Sequence, residues 1–393
     1  MAKLEHAKPR KIGLSEEGLD RLGHVLQREV ATGRIPGAVA LIAREGRIGY
    51  FEAFGRRAPS SDDMMAHDSI FRIYSMTKPI VSVAIMQMVE EGRILLADPV
   101  AKFIPAFTGA KVGVERDGGL ELVPPIRAVT VQDLLRHTSG LTYDFLGETA
   151  VHKLYAKANL ARRDQTNTDQ ADALAGLPLL HQPGTYWDYS RSTDVLGRVV
   201  EIVSGRSLGE ELSRRVFEPL DMTDTRFTVP ASEAGRVAEP FPTDPETGDP
   251  VKLLRASETV QFESGGGGLF STVPDYARFC AMLAGQGTFG ATRILGRATL
   301  DLMTADHLGP EVTLGSDLLP PGHGFGLGFA VRIAPGMADV PGSVGLFYWG
   351  GIAGTTFWVD PDEDLFAILM IQAPGQRDYY RMLFRTLVYA ALA

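Results

Sequence analysis

The sequence predicts an α+β fold, with one antiparallel sheet built from both ends of the chain and flanked by helices, and with a helical region inserted in the middle. Strand-like apolar segments occur at residues 37–54 and again after residue 320, and the chain between them shows helical spacing and loops. We therefore expect residues 1–100 and 261–393 to form the two parts of an α/β region, and residues 101–260 to be mainly helical.

The first predicted elements are a helix and a hairpin. Residues 15–32 carry leucine and valine at helical spacing, with Ser15 at the start and Gly33 after the end. Residues 37–44 and 47–54 are separated by a Glu-Gly turn, which predicts two paired strands. The helix should cover one face of these strands.

The middle of the chain supplies helices and loops. Thr130, followed by Asp133, predicts the capped start of a short helix. Residues 233–252 are rich in proline, threonine and acidic residues and indicate an exposed loop, and the glycine-rich segment 264–268 indicates a flexible loop. Further helices are predicted at residues 80–89, 130–137, 192–203 and 274–284.

The last part of the chain returns to strands. Apolar or alternating segments separated by turn residues predict them, and a helical pattern follows. Because both ends of the chain supply strands, we expect all of them to join in one sheet. The strands are predicted at residues 324–333, 345–349, 355–359 and 365–371, and the closing helix at residues 379–391.

Composition narrows the class of protein. The 393 residues are 45% hydrophobic, which is enough for a large core, and the net charge of −9 argues against nucleic acid or an anionic membrane as a partner. Cys280 is the only cysteine and the eight histidines lack ligand spacing, so neither a metal nor another cofactor is indicated. The N-terminal residues lack the apolar stretch of a signal peptide, and no segment is long enough for a membrane span, so we expect a cytoplasmic protein. The sequence specifies no oligomeric state.

Ser75 and Lys78 are the first candidates for chemistry. They stand three residues apart where a helix is predicted to begin, so their side chains share one face. A serine hydroxyl needs a base, and a lysine can act as one when burial or the positive end of a helix lowers its pKa. Lys78 is the only charged residue between Ile73 and Gln87, which indicates that it is buried. The alternative is a serine at a helix start followed by a surface lysine.

Two further segments could complete such a site. Tyr189 could pass a proton between the lysine and a leaving group, because a nearby ammonium favours its ionised form; the alternative is an aromatic residue packed beside Trp187. Gly350 and Gly351 follow a predicted strand, and glycines there would let a substrate reach the backbone N–H groups, with a β-bulge as the alternative.

A second serine, Ser207, also lies in a motif that resembles a catalytic one. Residues 205–209 read Gly-Arg-Ser-Leu-Gly and match the nucleophile elbow of α/β-hydrolases. The elbow requires a strand before the serine, whereas the pattern predicts a helix there. Ser207 followed by Glu210 instead predicts a helix capping box. We therefore expect Ser207 to cap a helix.

The candidate motifs together point to a family. Taken in order, S-M-T-K at Ser75, Y-S-R at Tyr189 and W-G-G at Trp349 resemble the three motifs of serine β-lactamases and penicillin-binding proteins. The chain is most similar to family VIII carboxylesterases, which are built on the class C β-lactamase fold. The resemblance covers nearly the whole chain, since residues 71–73 and 137–141 match as well. It implies a β-lactamase-like fold.

Two positions depart from the β-lactamase pattern. Trp349 stands where those enzymes have the lysine that binds the substrate carboxylate, and Arg191 stands where they have an asparagine that holds the substrate amide. The resemblance therefore implies a preference for neutral esters over β-lactams. Weak β-lactamase activity stays an open alternative, because Arg191 could itself bind a carboxylate.

The activity that the resemblance implies is hydrolysis of short-chain carboxylic esters through an acyl-enzyme on Ser75. The hydroxyl proton would pass to the pair Lys78 and Tyr189, either of which could be the base. The backbone N–H groups of Ser75 and Ile352 would form the oxyanion hole. A small-molecule ester is the implied partner, and its implied binding residues are Tyr143, Arg191, Trp349, Gly350 and Gly351.

Three alternatives use the same residues. An acyltransferase would pass the acyl group to an alcohol or amine in place of water. An amide hydrolase acting on β-lactams or D-amino-acid peptides is disfavoured by Trp349 and Arg191. A penicillin-recognising sensor would be acylated at Ser75 without turnover.

Overall fold

The computed structural model describes residues 3–116, 118–315 and 318–393. The helices of this part of the chain are α1 (Glu16–Ala31), α2 (Thr77–Glu90), α3 (Val131–Leu135), α4 (Ala150–Ala158), α5 (Asn167–Ala175), α6 (Ser192–Ser204), α7 (Leu208–Leu212), α8 (Glu218–Leu220), α9 (Val273–Ala284), α10 (Arg297–Met303) and α11 (Arg377–Tyr389). The strands are β1 (Gly37–Arg44), β2 (Arg47–Gly55), β3 (Phe71–Arg72), β4 (Val112–Arg116), β5 (Gly119–Val123), β6 (Tyr186–Trp187), β7 (Phe270–Ser271), β8 (Thr288–Phe289), β9 (Thr292–Arg293), β10 (Thr313–Leu314), β11 (His323–Phe325), β12 (Ala330–Arg332), β13 (Phe347–Gly350), β14 (Thr356–Asp360) and β15 (Leu365–Ile371).

A seven-stranded antiparallel sheet joins both ends of the chain. Its order is β11-β12-β13-β14-β15-β1-β2, so the N-terminal hairpin is added to the edge of the C-terminal strands. The junction is the pairing of β1 with β15, in which Ala38 faces Ile371 and Arg44 faces Leu365. The predicted sheet from both termini, and with it the α+β class, is confirmed.

The two faces of the sheet are covered by different helices. On one face, Ala40, Trp358 and Leu369 pack in an apolar cluster with Leu22 of α1 and Phe384 of α11. The alternate residues of the strands point to the other face, where they join the large core that includes α2 and α9. The N-terminal helix therefore covers the sheet as predicted, together with the closing helix.

Helix α2 runs through the interior. Every residue from Thr77 to Met86 is buried, and a helix that is apolar on all sides belongs in a core. Ser75 lies just before it, in a 3₁₀ turn at Tyr74–Met76. The surrounding core therefore fixes the position and direction of the segment that carries Ser75.

The capping predictions agree with the structure. Ser207 accepts a hydrogen bond from the backbone N–H of Glu210 at 3.2 Å, and its own N–H donates to the Glu210 carboxylate at 3.1 Å. Helix α6, and not a strand, precedes it. Thr130 and Asp133 form a second capping box, at the start of α3. Ser207 is therefore a helix cap, as expected.

Two segments differ from expectation. Residues 324–333, predicted as one strand, form the antiparallel hairpin β11–β12, because Gly328 turns the chain with φ of +101° where a Cβ would lie 2.4 Å from Ser82 Oγ. The middle region also contains a two-stranded hairpin, β4–β5, which the helical prediction missed. Within the described residues, none of the helices has the length and apolar character needed to cross a membrane.

Candidate active site

Ser75 lies at a constrained turn between β3 and α2. Tyr74, just before it, has φ of +43°, in the left-handed region that side-chain-bearing residues seldom adopt. The backbone on either side is held by Leu269, whose carbonyl accepts from the N–H of Ile73 at 3.1 Å and whose N–H donates to Thr77 Oγ1 at 3.2 Å. Ser75 itself is half-buried.

Lys78 is buried and its ammonium has three acceptors. Its Nζ donates to Ser75 Oγ at 3.3 Å, to Tyr143 Oη at 3.0 Å and to the carbonyl oxygen of Gly266 at 2.6 Å. Lys78 is only 1% exposed, as the sequence pattern predicted. An ammonium group has three protons to donate, so this set of acceptors matches the charged form of the lysine.

The pKa of Lys78 is raised, whereas the sequence predicted that it would be lowered. Burial lowers this pKa, but the phenols of Tyr143 and Tyr189 and the carboxylate of Asp194 favour the ammonium more strongly and raise it overall. Burial raises the pKa of Tyr143 to about 12, against the opposing effect of Lys78. The prediction of a lowered lysine pKa, which rested on burial and on the positive end of the helix, is therefore wrong, because the neighbouring groups outweigh the effect of burial.

Tyr189 lies beneath the ammonium. The Lys78 nitrogen is 4.5 Å from the centre of the Tyr189 ring, and Trp349 Nε1 donates a hydrogen bond to the Tyr189 hydroxyl at 3.1 Å. The ring also packs against His137, with the ring centres 4.9 Å apart. Because the indole N–H engages the phenol oxygen, the phenolic proton is free to point toward another acceptor.

Trp349 belongs to the site through its place in β13. It is buried, and its ring meets Phe325 edge to face at 5.3 Å, so the indole is held between the sheet and Tyr189. Trp349 therefore orients the Tyr189 phenol through its indole N–H, which is a neutral donor, and brings no positive charge to this place in the site.

The turn after β13 carries the second candidate N–H group. Ile352 is 41% exposed, and its backbone N–H has no hydrogen-bond partner among the described residues; the same is true of the Ser75 N–H. The two segments touch, since a Cβ on Gly351 would lie 2.4 Å from the carbonyl oxygen of Ile73. Two unused N–H groups near a serine hydroxyl are what an oxyanion hole requires.

Arg191 is placed differently from the other candidates. Its guanidinium is buried, pairs with Asp144 at 3.2 Å and with Asp194 at 4.0 Å, and lies 5.0 Å from the centre of the Tyr143 ring. These contacts place it behind Tyr143, where it supports the phenol. Its role as a substrate-binding residue stays a prediction.

The glycine-rich loop contributes a residue that the sequence analysis missed. Gly266 supplies the shortest acceptor for Lys78, and Asp194 fixes the loop by accepting from Gly266 N at 2.9 Å and Ser264 Oγ at 2.6 Å. A Cβ on Gly265 would lie 2.5 Å from the carbonyl oxygen of Thr193, so the glycines allow the loop to pack on α6. The sequence feature that could have indicated this contact is Asp194, an acidic residue that lies buried in the first turn of α6.

A cavity of about 550 Å³ borders the turn that carries Ser75 and the turn after β13. Tyr74 and Ile352 line it, and the loop at residues 244–253 forms the opposite wall together with Pro374 and Gly375. The phenol of Tyr74 accepts a hydrogen bond from the N–H of Leu254 at 2.9 Å, which connects this loop to the turn that carries Ser75. Ser75, Lys78, Tyr189 and Trp349 do not line the cavity, so it provides space for an organic group next to the turn that carries the serine.

The fold and these residues define a class of protein. The Beta-lactamase family model matches residues 22–390, and the chain belongs to that family of serine hydrolases. Among its relatives, Protein Rv1367c of Mycobacterium tuberculosis is 35% identical, over 88% of each chain, and Esterase EstB of Burkholderia gladioli is 31% identical, over 94% of this chain and 95% of its own. The solved structure of EstCE1, described as a hydrolase with promiscuous acyltransferase activity, matches with a TM-score of 0.80 at 29% identity, covering 95% of this chain and 99% of EstCE1.

These similarities confirm the resemblance to family VIII carboxylesterases, the β-lactamase-like fold and the class of serine ester hydrolase. They do not test the roles of single residues. The roles given to Ser75, Lys78 and Tyr189 therefore stay predictions. The structure adds the distances between their side chains.

Tyr143→Phe is expected to lower kcat about tenfold with little change in KM, because the variant removes one of three acceptors of the Lys78 ammonium while keeping the ring. Ester hydrolysis at saturating substrate measures the effect. Tyr155→Phe is the matched control, since Tyr155 is also buried and is not a hydrogen-bond partner of Lys78. An equal loss in both variants would show that the Tyr143 hydroxyl has no special role.

Proposed function

We propose that this protein is a serine carboxylesterase that hydrolyses short-chain carboxylic esters through an acyl-enzyme on Ser75. The observation that carries the proposal is the contact between Lys78 Nζ and Ser75 Oγ in a buried site that also contains two phenols. The similarity to Esterase EstB and to EstCE1 supports it. A small-molecule ester is the proposed partner, and the cytoplasmic location stays a prediction from the sequence.

The reaction would proceed in two halves. Ser75 Oγ attacks the ester carbonyl while its proton passes to the pair Lys78 and Tyr189, and the oxygen of the tetrahedral intermediate accepts from the N–H groups of Ser75 and Ile352. The alcohol leaves with a proton from Tyr189. Water then attacks the acyl-enzyme with the same groups in reverse roles, which releases the acid and restores Ser75.

Trp349 supports the choice of neutral esters. A lysine at this place would offer a cation to an anionic substrate, whereas the indole N–H is used by Tyr189 and carries no charge. The proposed preference for neutral esters over anionic substrates thus arises because no cation is present to bind a substrate carboxylate. The aromatic ring of Trp349 also narrows the space beside Tyr189.

Trp349→Lys is therefore expected to raise the ratio of cephalosporin turnover to ester turnover several-fold, because the ammonium supplies a partner for the substrate carboxylate. The ratio is measured with a chromogenic cephalosporin and p-nitrophenyl butyrate, and Trp349→Phe serves as the uncharged control. An unchanged ratio in the lysine variant would show that Trp349 does not set the preference.

The proposal is tested first with p-nitrophenyl butyrate and a chromogenic cephalosporin in parallel. Rapid release of p-nitrophenol with slow or absent cephalosporin turnover is expected. Failure to hydrolyse the ester by folded protein would refute the esterase assignment and favour the amide hydrolase or sensor alternatives.

Acyl transfer is a second candidate, favoured by the similarity to EstCE1 and its described acyltransferase activity. In that case an alcohol would replace water in the second half of the reaction. Adding a primary alcohol during p-nitrophenyl butyrate turnover distinguishes the two, since a transferase forms the new ester at the expense of butyric acid, whereas a strict hydrolase yields acid alone.

A further inference from the structure

The W-G-G turn has a charged side chain behind it. Arg381, on α11, donates from Nη2 to the carbonyl oxygen of Gly351 at 2.6 Å, and its Nη1 donates to Asp378 Oδ1 at 3.1 Å. Its side chain is 28% exposed. Arg381 is not among the residues predicted from the sequence, and it lies thirty positions after the glycine that it contacts.

The hydrogen bond to Gly351 bears on the oxyanion hole because of the geometry of a peptide bond. The carbonyl of Gly351 and the N–H of Ile352 belong to the same planar trans unit, so they point in opposite directions. A donor that fixes the carbonyl thereby fixes the direction of the N–H. A charged donor also polarises the unit and makes the N–H a stronger donor.

The same carbonyl accepts from the N–H of Gly354 at 3.0 Å, so the peptide unit is held by two donors, one of them cationic. The N–H of Gly351 itself donates to the carbonyl of Thr355 at 2.8 Å. The Ile352 N–H, by contrast, has no partner in the part of the chain that the structure describes. The turn is therefore ordered on one side and open on the side where an oxyanion would bind.

The glycines of the motif fit this arrangement. A Cβ on Gly350 would lie 2.6 Å from Arg381 Nη2 and 2.8 Å from its Cζ, so a side chain there would displace the guanidinium from its present position. A Cβ on Gly351 would lie 2.4 Å from Ile73 O, in the segment that leads to Ser75. The glycines thus make space for Arg381 on one side and for the nucleophile turn on the other.

We propose that Arg381 is a positioning residue for the reaction, acting through the Gly351–Ile352 peptide to orient and polarise the Ile352 N–H toward the oxyanion. The proposal rests on the proposed role of that N–H group. Because the oxyanion exists only in the transition state and tetrahedral intermediates, the effect should fall on kcat and leave substrate binding nearly unchanged.

The test replaces Arg381 by methionine, which keeps an unbranched side chain and removes the charge and donors, and by lysine, which keeps the charge. With p-nitrophenyl butyrate, Arg381→Met is expected to lower kcat about tenfold and to change KM less than about twofold. Arg381→Lys should fall between Arg381→Met and the wild type. The control Arg377→Met removes a neighbouring arginine of α11 that pairs with the same Asp378 at 3.4 Å, and it should keep wild-type kcat.

A second measurement uses phenylboronic acid as a probe of the oxyanion hole. Ser75 Oγ bonds to boron while its proton passes to the pair Lys78 and Tyr189, which gives a tetrahedral anion without substrate turnover. The inhibition constant should rise in Arg381→Met by the same factor as kcat falls. Boronate binding can be followed by displacement or calorimetry even if the ester assay shows no activity, so failure of the proposed function and failure of this inference are distinguishable.

Unchanged kcat and unchanged boronate affinity in folded Arg381→Met would overturn the inference. An increase in KM alone would also overturn it, since it would place Arg381 in contact with the substrate. If the methionine variant does not fold, Arg381→Lys decides: a fall in kcat matched by weaker boronate binding supports the inference, and wild-type values for both refute it.

Discussion

Ser75→Ala is expected to abolish ester hydrolysis, with kcat lowered by about 10³-fold or more, because no other group can form the acyl-enzyme. The buried Lys78 would keep its other two acceptors, Tyr143 and Gly266, so the variant should fold. Steady-state turnover of p-nitrophenyl butyrate gives the loss, and mass spectrometry after mixing with the ester shows whether an acyl adduct forms. The wild type should carry the adduct and the variant should not.

Ser207→Ala is the matched control, since Ser207 lies in the competing motif. It should keep kcat within about twofold while lowering stability by about 1 kcal/mol through loss of the helix cap. Full activity of Ser75→Ala, or loss of activity in a folded Ser207→Ala protein, would reverse the assignment of the nucleophile.

Lys78→Met is expected to lower kcat by about 10³-fold, because the pair that accepts the Ser75 proton loses one member while the space of the buried side chain stays filled. Removing a buried ammonium together with its charge need not destabilise the protein, so thermal unfolding should show a folded variant. Lys153→Met, at an exposed position of α4, is the control and should retain wild-type kcat.

The pH dependence gives this prediction a second readout. The pKa of Lys78 is raised, so its amine is protonated at neutral pH and must lose a proton to act as a base. In the wild type, kcat/KM should therefore increase as the pH rises from ~7 to ~9, and the residual activity of Lys78→Met should not follow the same curve. A wild-type profile that falls over this range would show that the pair works in its protonated form.

The central residues of the site could be predicted because their signals are local. Ser75 and Lys78 are three positions apart on one turn of chain, and the absence of other charges in the sequence around Lys78 indicates its burial. Tyr189 and Trp349 lie far away in sequence, and the order of the three motifs was needed to assign both of them to the same site as Ser75. Their mutual hydrogen bond, which orients the phenol, has no sequence signature of its own.

The rest of the site depends on contacts across long stretches of chain. Gly266 was interpreted as part of a flexible loop because nothing in a run of glycines shows that one carbonyl will meet Lys78, 188 positions away. The sign of the Lys78 pKa shift was missed for the same reason, since Tyr143 and Asp194 come from two other elements. Gly350 and Gly351 were selected as a place where a substrate could reach the backbone, but the positions of the side chains that they lack are occupied by Arg381 and Ile73.

The pairing of β1 with β15 has a consequence for the chain during its synthesis on the ribosome. At ordinary rates of translation, the roughly 320 residues between these strands take about 20 to 60 s to synthesise. During this time the apolar edge of β1 has no partner, and an unpaired strand of this kind can pair with other chains. This edge of the nascent protein therefore needs protection from other chains until β15 emerges.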